Sequence, residues 1–111
     1  LTISNSGGQS VISGTPAYMS PEQLAGEPAT PASDVFAFGL LLFELATAER
    51  ALPESHLGAI LQRLDNPRLA VELAAPMPSA WRAVAESMLA RDPARRPAMS
   101  EVLAQLEVAE F

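Results

Sequence analysis

The chain has 111 residues, 49% of them hydrophobic, which suits a single domain with a core of its own. A formal net charge of −6 and a pI near 4.6 exclude a broad contact with a phosphate backbone, which needs a cationic face, so nucleic acid is not expected as a partner. The absence of cysteine removes disulfides and thiolate metal sites, and a lone histidine with no ligand cluster leaves no metal-binding pattern.

No basic-then-apolar leader opens the sequence at Leu1, and no stretch reaches about 18 apolar residues, so no membrane contact is expected from this segment. Leu1 to Ser13, LTISNSGGQSVIS, is rich in serine, glycine, asparagine and glutamine and has no sustained periodicity, which predicts a mobile loop or arm. Ser4, Ser6, Ser10 and Ser13 carry hydroxyls that could accept phosphate; in a plain linker they would only solvate the chain. Gly14 to Gly26, GTPAYMSPEQLAG, contains a capped helix start. Ser20 can accept from exposed amides, Pro21 suits the first turn, and Gln23 can reach back, so one short helical turn should end at Gly26.

Glu27 to Ser33 predicts a turn into the most apolar stretch, Asp34 to Ala46, where nine consecutive residues from Val35 to Phe43 carry no polar side chain. Thr30 can cap this helix, Pro31 can take its first position, and Asp34 sits where the helix dipole favours a carboxylate. Val35, Phe36 and Phe38 also suit a strand, but the length through Ala46 and the Leu/Ala/Glu content favour helix. At about 1.5 Å per residue the run is too short for a bilayer of roughly 30 Å. A helix apolar on every face must then be wrapped on every face. Gly39 in its interior costs about 1 kcal/mol relative to alanine, which predicts close packing against another segment.

After the polar turn TAERALPES, a helix is predicted over Ser55 to Leu64, with Leu57, Ile60, Leu61 and Leu64 at helical spacing and His56 exposed in its first turn. Asp65 to Pro78 reads as an irregular connection with a short turn around Leu69 to Leu73. Ser79 can cap a further helix whose core stripe is Trp81, Val84, Ala85, Met88 and Leu89. Ala90 to Pro97, ARDPARRP, is a tight basic loop, and a last helix over about Ala98 to Ala109 should turn Met99, Val102, Leu103 and Leu106 inward. Without repeats or heptads, the sum is a small all-α assembly.

Three segments in this order, GTPAYMSPEQLAG at Gly14 to Gly26, SDVFAFGLLLFELAT at Ser33 to Thr47 and RDPARRP at Arg91 to Pro97, resemble the C-terminal lobe of a eukaryotic-like protein kinase, and look most like the bacterial serine/threonine kinases. Each motif alone is weak, whereas the three together at this spacing are specific. The resemblance runs from about Ser13 to the end, with Leu1 to Val11 fitting the variable part of an activation loop. It implies the helical C-lobe of the protein-kinase fold, incomplete, with the N-lobe and catalytic loop absent.

By that resemblance Gly14, Thr15, Pro16, Ala17 and Tyr18 form the loop that holds substrate residues beside the phosphate acceptor. Thr15 would bond the catalytic aspartate of the intact enzyme, and a threonine there looks like serine/threonine specificity. Glu22 would pair with Arg96; on their residue types alone two ordinary surface charges are the favoured reading, and the resemblance reverses this in favour of a bidentate bond that pins the activation segment. Asp34 would bond the backbone of the catalytic loop. Phe36 stands where tryptophan or tyrosine is common, and Ala48 replaces a frequent glycine. Ser4, Ser6, Ser10 and Ser13 become candidate autophosphorylation sites, Ser10 foremost.

Phosphoryl transfer needs a glycine-rich loop, a phosphate-pairing lysine with its glutamate, a His-Arg-Asp loop and an Asp-Phe-Gly metal ligand. None occurs in this sequence. The resemblance places all of them before Leu1, so no catalytic residue is expected within this chain, which cannot catalyse alone. ATP and Mg²⁺ are expected of the intact kinase only, protein substrates and the missing N-lobe and catalytic loop are the expected partners, and the setting is cytoplasmic with any membrane anchor outside this segment. The alternative is a non-catalytic, truncated kinase-like interaction module. If ~400 Å² of apolar surface on the central helix is left bare, the loss is about 10 kcal/mol, as large as a domain's whole stability, and the isolated chain is expected to be molten, oligomeric or aggregation-prone.

Overall fold

The computed structural model describes residues 2–6, 9–13, 16–54 and 56–108, the first two segments by their backbone alone. Thr2–Ser6 (β1) and Gln9–Ser13 (β2) pair antiparallel, from Thr2 opposite Ser13 to Ser6 opposite Gln9. This departs from the irregular arm that composition predicts. The strands flank Gly7-Gly8, a dipeptide suited to two-residue hairpin connections, and that local signal outweighs the polar composition. From Pro16 onward the described residues form helices and their connections only.

A 3₁₀ turn at Pro16–Tyr18 leads into α1, Pro21–Leu24. Its start is the predicted reciprocal cap: Gln23 Oε1 accepts from the Ser20 N–H at 3.0 Å, and the Gln23 N–H donates to Ser20 Oγ at 3.4 Å. The turn leaves through Gly26 at φ 98°, a conformation that costs only glycine little.

Helix α2, Pro31–Thr47, begins after Thr30, whose N–H donates to Ser33 Oγ at 3.1 Å. It divides the core. Phe36 and Leu40 pack on one side with Ala17, Leu52, Ile60 and Leu64, while Val35 and Leu42 pack on the other with Met77, Val84, Met88 and Val102. At Gly39 a Cβ would lie 2.9 Å from both Cγ and Cδ2 of Leu89, so the glycine permits the close approach that its position in the sequence predicts. The helix is not wrapped on every face. Asp34, Leu41 and Leu45 lie on one exposed stripe, with Leu41 44% and Leu45 74% accessible.

The remaining helices are α3 at Leu57–Leu64, α4 at Leu69–Ala74, α5 at Ser79–Met88 and α6 at Met99–Val108. Helix α3 starts after an exposed His56, and the predicted start at Ser55 falls outside the described residues. Ile60 and Leu64 are buried, but Leu57 and Leu61 stay partly exposed, because only one side of this helix meets the core. Pro78, not Ser79, holds the cap position of α5: its extended backbone turns its carbonyl toward the Trp81 N–H at 2.8 Å, which moves Ser79 into the first turn. In α6, Val102 is buried as predicted, whereas Leu103 is 51% exposed, against the inward placement predicted for it. Neighbouring residues on a helix point about 100° apart, and Met99, Val102 and Leu106 already fill the face turned to the core. Among the described residues no helix is long and apolar enough to cross a membrane.

Candidate functional site

Arg96 lies in the stretch between α5 and α6, just after the 3₁₀ turn Pro93–Arg95, which Asp92 caps by accepting from the Ala94 N–H at 2.9 Å. That turn aims the Arg96 guanidinium under α1. Its Nη1 donates to Glu22 Oε2 at 2.6 Å and its Nη2 to Glu22 Oε1 at 2.9 Å, a bidentate bond between residues 74 apart in sequence. The other N–H groups donate to the carbonyls of Ala90 at 2.8 Å, Ala32 at 3.0 Å and Arg91 at 3.1 Å. All five donors of the guanidinium are thus used, and its flat face lies 4.9 Å from the centre of the Phe36 ring.

Ser33 completes the junction by donating to Glu22 Oε2 at 3.0 Å. Burial pushes the Glu22 carboxyl upward, but the bonds from Arg96, its own backbone environment and Ser33 outweigh burial and hold it below the ordinary range. Three segments meet here: α1, the start of α2 and the loop between α5 and α6.

A second junction lies at the other end of α2. Tyr18 donates its hydroxyl to Glu44, 2.8 Å from Oε1 and 3.0 Å from Oε2, and the Ala51 N–H reaches Oε2 at 3.4 Å. Arg50 stands 5.7 Å from the Tyr18 ring centre and 3.8 Å from Glu44. The hydrogen bond to Glu44 is the main cause that raises the Tyr18 hydroxyl above its ordinary value, with burial and the carboxylate's charge adding to it and Arg50 opposing it. The loop from Pro16 to Ser20 is therefore fastened at two points, by Tyr18 in its middle and by Glu22 just beyond its end.

Of the residues marked out by sequence, the structure brings Glu22 and Arg96 together and places Pro16, Ala17 and Tyr18 in one turn. Gly14 and Thr15 lie outside the described residues, as do the side chains of Ser4, Ser6, Ser10 and Ser13. Asp34 is exposed on the bare stripe of α2, and its carboxylate has no side-chain partner among the described residues. Ser33 and Glu44 are participants that sequence reasoning missed. Ser33 follows Thr30 by three residues, a capping spacing with serine where glutamate or glutamine is the usual signal. Glu44 was legible only as the charge that ends an apolar run. Among the described residues no group of three or more His, Cys, Asp or Glu could hold a metal ion. What the arrangement does is hold a loop at a fixed place on a helical body.

Comparison with known proteins agrees with that architecture. The family model described as protein kinase domain matches residues 2–106. The chain is 30% identical over 105 residues to a probable serine/threonine-protein kinase of Dictyostelium discoideum, covering 94% of this chain and 6% of that protein. It is 34% identical over 104 residues to serine/threonine-protein kinase Nek8 of Danio rerio, covering 94% of this chain and 15% of the relative. With the probable serine/threonine-protein kinase PkwA of Thermomonospora curvata it shares 38% identity over 95 residues, 86% of this chain and 12% of the relative. The chain thus spans no more than 15% of the length of these three relatives.

Proposed function

Since the chain belongs to the protein kinase domain family, we propose that it is the substrate-binding and scaffolding part of the helical lobe of a serine/threonine protein kinase, whose whole protein transfers the γ-phosphoryl group of ATP to serine or threonine in protein substrates. The observation that carries this is the fastening of Pro16–Ser20 through the Glu22–Arg96 junction: phosphoryl transfer is mostly positioning, and a loop that positions an acceptor has to be held rigidly. Gly14, Thr15, Pro16, Ala17 and Tyr18 are the proposed substrate loop, and Asp34 the proposed anchor for the catalytic loop.

The bare stripe of Asp34, Leu41 and Leu45 supports the second part of this proposal, that the rest of the kinase packs on α2 there. Nucleotide and Mg²⁺ are then held by that remaining part, and the residues of this chain contribute orientation. Ser4, Ser6, Ser10 and Ser13 are proposed as activation-loop phosphate acceptors, in a protein that works in the cytoplasm.

The test is a transfer assay with the full-length protein that contains this chain, Mg²⁺-ATP and a generic protein acceptor, followed by phosphoamino-acid analysis. Phosphoserine and phosphothreonine are the expected products, and Glu22→Ala should reduce transfer. ATP binding without transfer, or no binding, would turn the proposal toward a non-catalytic interaction module.

A further inference from the structure

A cavity of about 120 Å³ adjoins the Glu22–Arg96 junction. Pro21, Phe36, Leu64, Leu69 and Leu89 give it apolar walls, and the exposed Pro67 and Arg91 mark its mouth. The polar side chains that line it are already engaged. Asn66 Nδ2 donates to Glu72 Oε2 at 3.0 Å while its Oδ1 accepts from the Arg68 N–H at 3.0 Å. Arg91 Nη1 donates to the Leu64 carbonyl at 2.7 Å, and its Nη2 lies 2.9 Å from Asp65 Oδ1. A charged occupant would lose its hydration and find Asn66 and Arg91 taken, whereas an apolar one exchanges water for apolar walls. Size sets the other limit: an apolar cavity of about 150 Å³ takes one benzene, so this one has room for a single ring and not for a lipid tail.

The cavity shares its walls with the junction. Pro21 directly precedes Glu22, the Phe36 ring centre lies 4.9 Å from the Arg96 guanidinium, and Ala90 and Arg91 supply two of the carbonyls that hold Arg96. If Glu22 leaves Arg96, Pro21 moves with α1 and one wall is lost, so an occupant binds best while the junction is closed. Occupation and fastening then favour one another by the same factor.

Going beyond the phosphoryl transfer proposed above, we propose that this cavity is a binding site for a small uncharged ring compound, and that its occupation holds the Glu22–Arg96 junction, and with it the Pro16–Ser20 loop, in place.

The experiment titrates the full-length protein with fluorobenzene and follows it by ¹⁹F NMR. A Kd of about 1 mM or below is expected, within what so few heavy atoms can supply. Sodium 4-fluorobenzoate, which carries a charge, and N-acetyl-phenylalanine amide, which carries its ring on a peptide backbone, should each displace the probe at least about tenfold less well than benzene. Ala70→Leu enlarges a side chain of the lining and should weaken binding about tenfold or more, while Val71→Leu, at an exposed position outside the lining, should leave it unchanged. Glu22→Gln should weaken it about fivefold through the shared wall. In the parent protein, fluorobenzene at about four times its Kd should slow amide exchange about fivefold at Ala25 and Gly26, which close the turn of α1, and by more than in α6. That measurement needs no variant and decides the matter if Ala70→Leu does not fold.

No binding by the parent protein, or binding that a folded Ala70→Leu leaves intact, overturns the site. Displacement by the benzoate or by the phenylalanine amide as readily as by benzene overturns the ring-compound assignment, and the second result gives the cavity to a side chain of another protein. Binding with unchanged exchange in α1 and equal affinity in Glu22→Gln overturns the link to the junction. None of these readouts involves phosphate transfer, so each failure is distinct from a failure of the kinase proposal.

Discussion

Arg96 and Arg50 each face a glutamate close to the Pro16–Ser20 loop, but the Arg96 and Glu22 side chains are 0% and 7% exposed, whereas those of Arg50 and Glu44 are 55% and 20% exposed. The buried pair has paid for its desolvation with a bidentate bond and three further carbonyls. The exposed pair is looser, at 3.8 Å, and water screens it. Similar charges in similar roles therefore differ in consequence: in the dry junction neither partner tolerates loss of the other, and in the wet one solvent can stand in for either.

The largest effect that tests this contrast is at Glu22. Glu22→Ala leaves a buried guanidinium without its counter-charge and should cost about 3–5 kcal/mol, whereas Arg50→Gln should cost less than about 1 kcal/mol. Urea denaturation of the two variants in the full-length protein measures both, and losses within about 1 kcal/mol of each other would erase the distinction. The dry junction also has an acid signature. The Glu22 carboxyl is held below its ordinary value of 4.5, so its stabilisation is present above that pH and is lost as pH falls through the lower value in the fold. Glu22→Gln should flatten that acid limb.

The dry junction was more legible in sequence than the wet one, and the reason is physical. Ser20-Pro21-Glu22-Gln23 and Thr30-Pro31 are local signals of helix starts, and capping and proline geometry act within a turn, so α1 and α2 begin where those residues direct. The pairing of Glu22 with Arg96 is not local, and it was recognisable only because the motifs carrying both residues keep an order shared with a family. No comparable signal marked Glu44, whose partner Tyr18 is 26 residues away. Leu41, Leu45 and Leu103 show the other limit. Helical spacing tells which residues share a face, but whether a face is covered depends on which neighbour arrives. Gly7-Gly8 is a different case, a hairpin signal present in the sequence and masked by its polar surroundings.

A smaller effect is expected just past the wet junction. Helix α2 ends on Ala48 at φ 59° and ψ 21°, with the Ala48 N–H closing on the Glu44 carbonyl at 2.8 Å. A left-handed residue costs an L side chain roughly 1–2 kcal/mol, and glycine avoids that while losing more chain entropy. Ala48→Gly should therefore stabilise by about 0.5–1 kcal/mol, seen as a higher denaturation midpoint with an unchanged slope. A decrease would mean that the alanine methyl packs well enough to offset its backbone strain.

The smallest effect separates the hydrogen bond of the wet junction from its charges. Tyr18→Phe removes the hydroxyl that Glu44 accepts and keeps the ring under Arg50, so about 0.5–1 kcal/mol should be lost near neutral pH, less than the roughly 1.5–3 kcal/mol of a dry bond to a charged group because water can replace the donor here. The sign of its pH dependence is opposite to that at Glu22. The Tyr18 hydroxyl is raised above its ordinary value of 10.0, chiefly because the bond to Glu44 needs the proton, so its contribution is whole below that pH and disappears as pH rises through the higher value in the fold. The difference between parent and Tyr18→Phe should consequently be constant from neutral pH to about pH 10 and shrink above it. A loss of about 3 kcal/mol at neutral pH would mean that solvent does not replace the missing donor, and the junction drawn here as wet would belong energetically with the dry one.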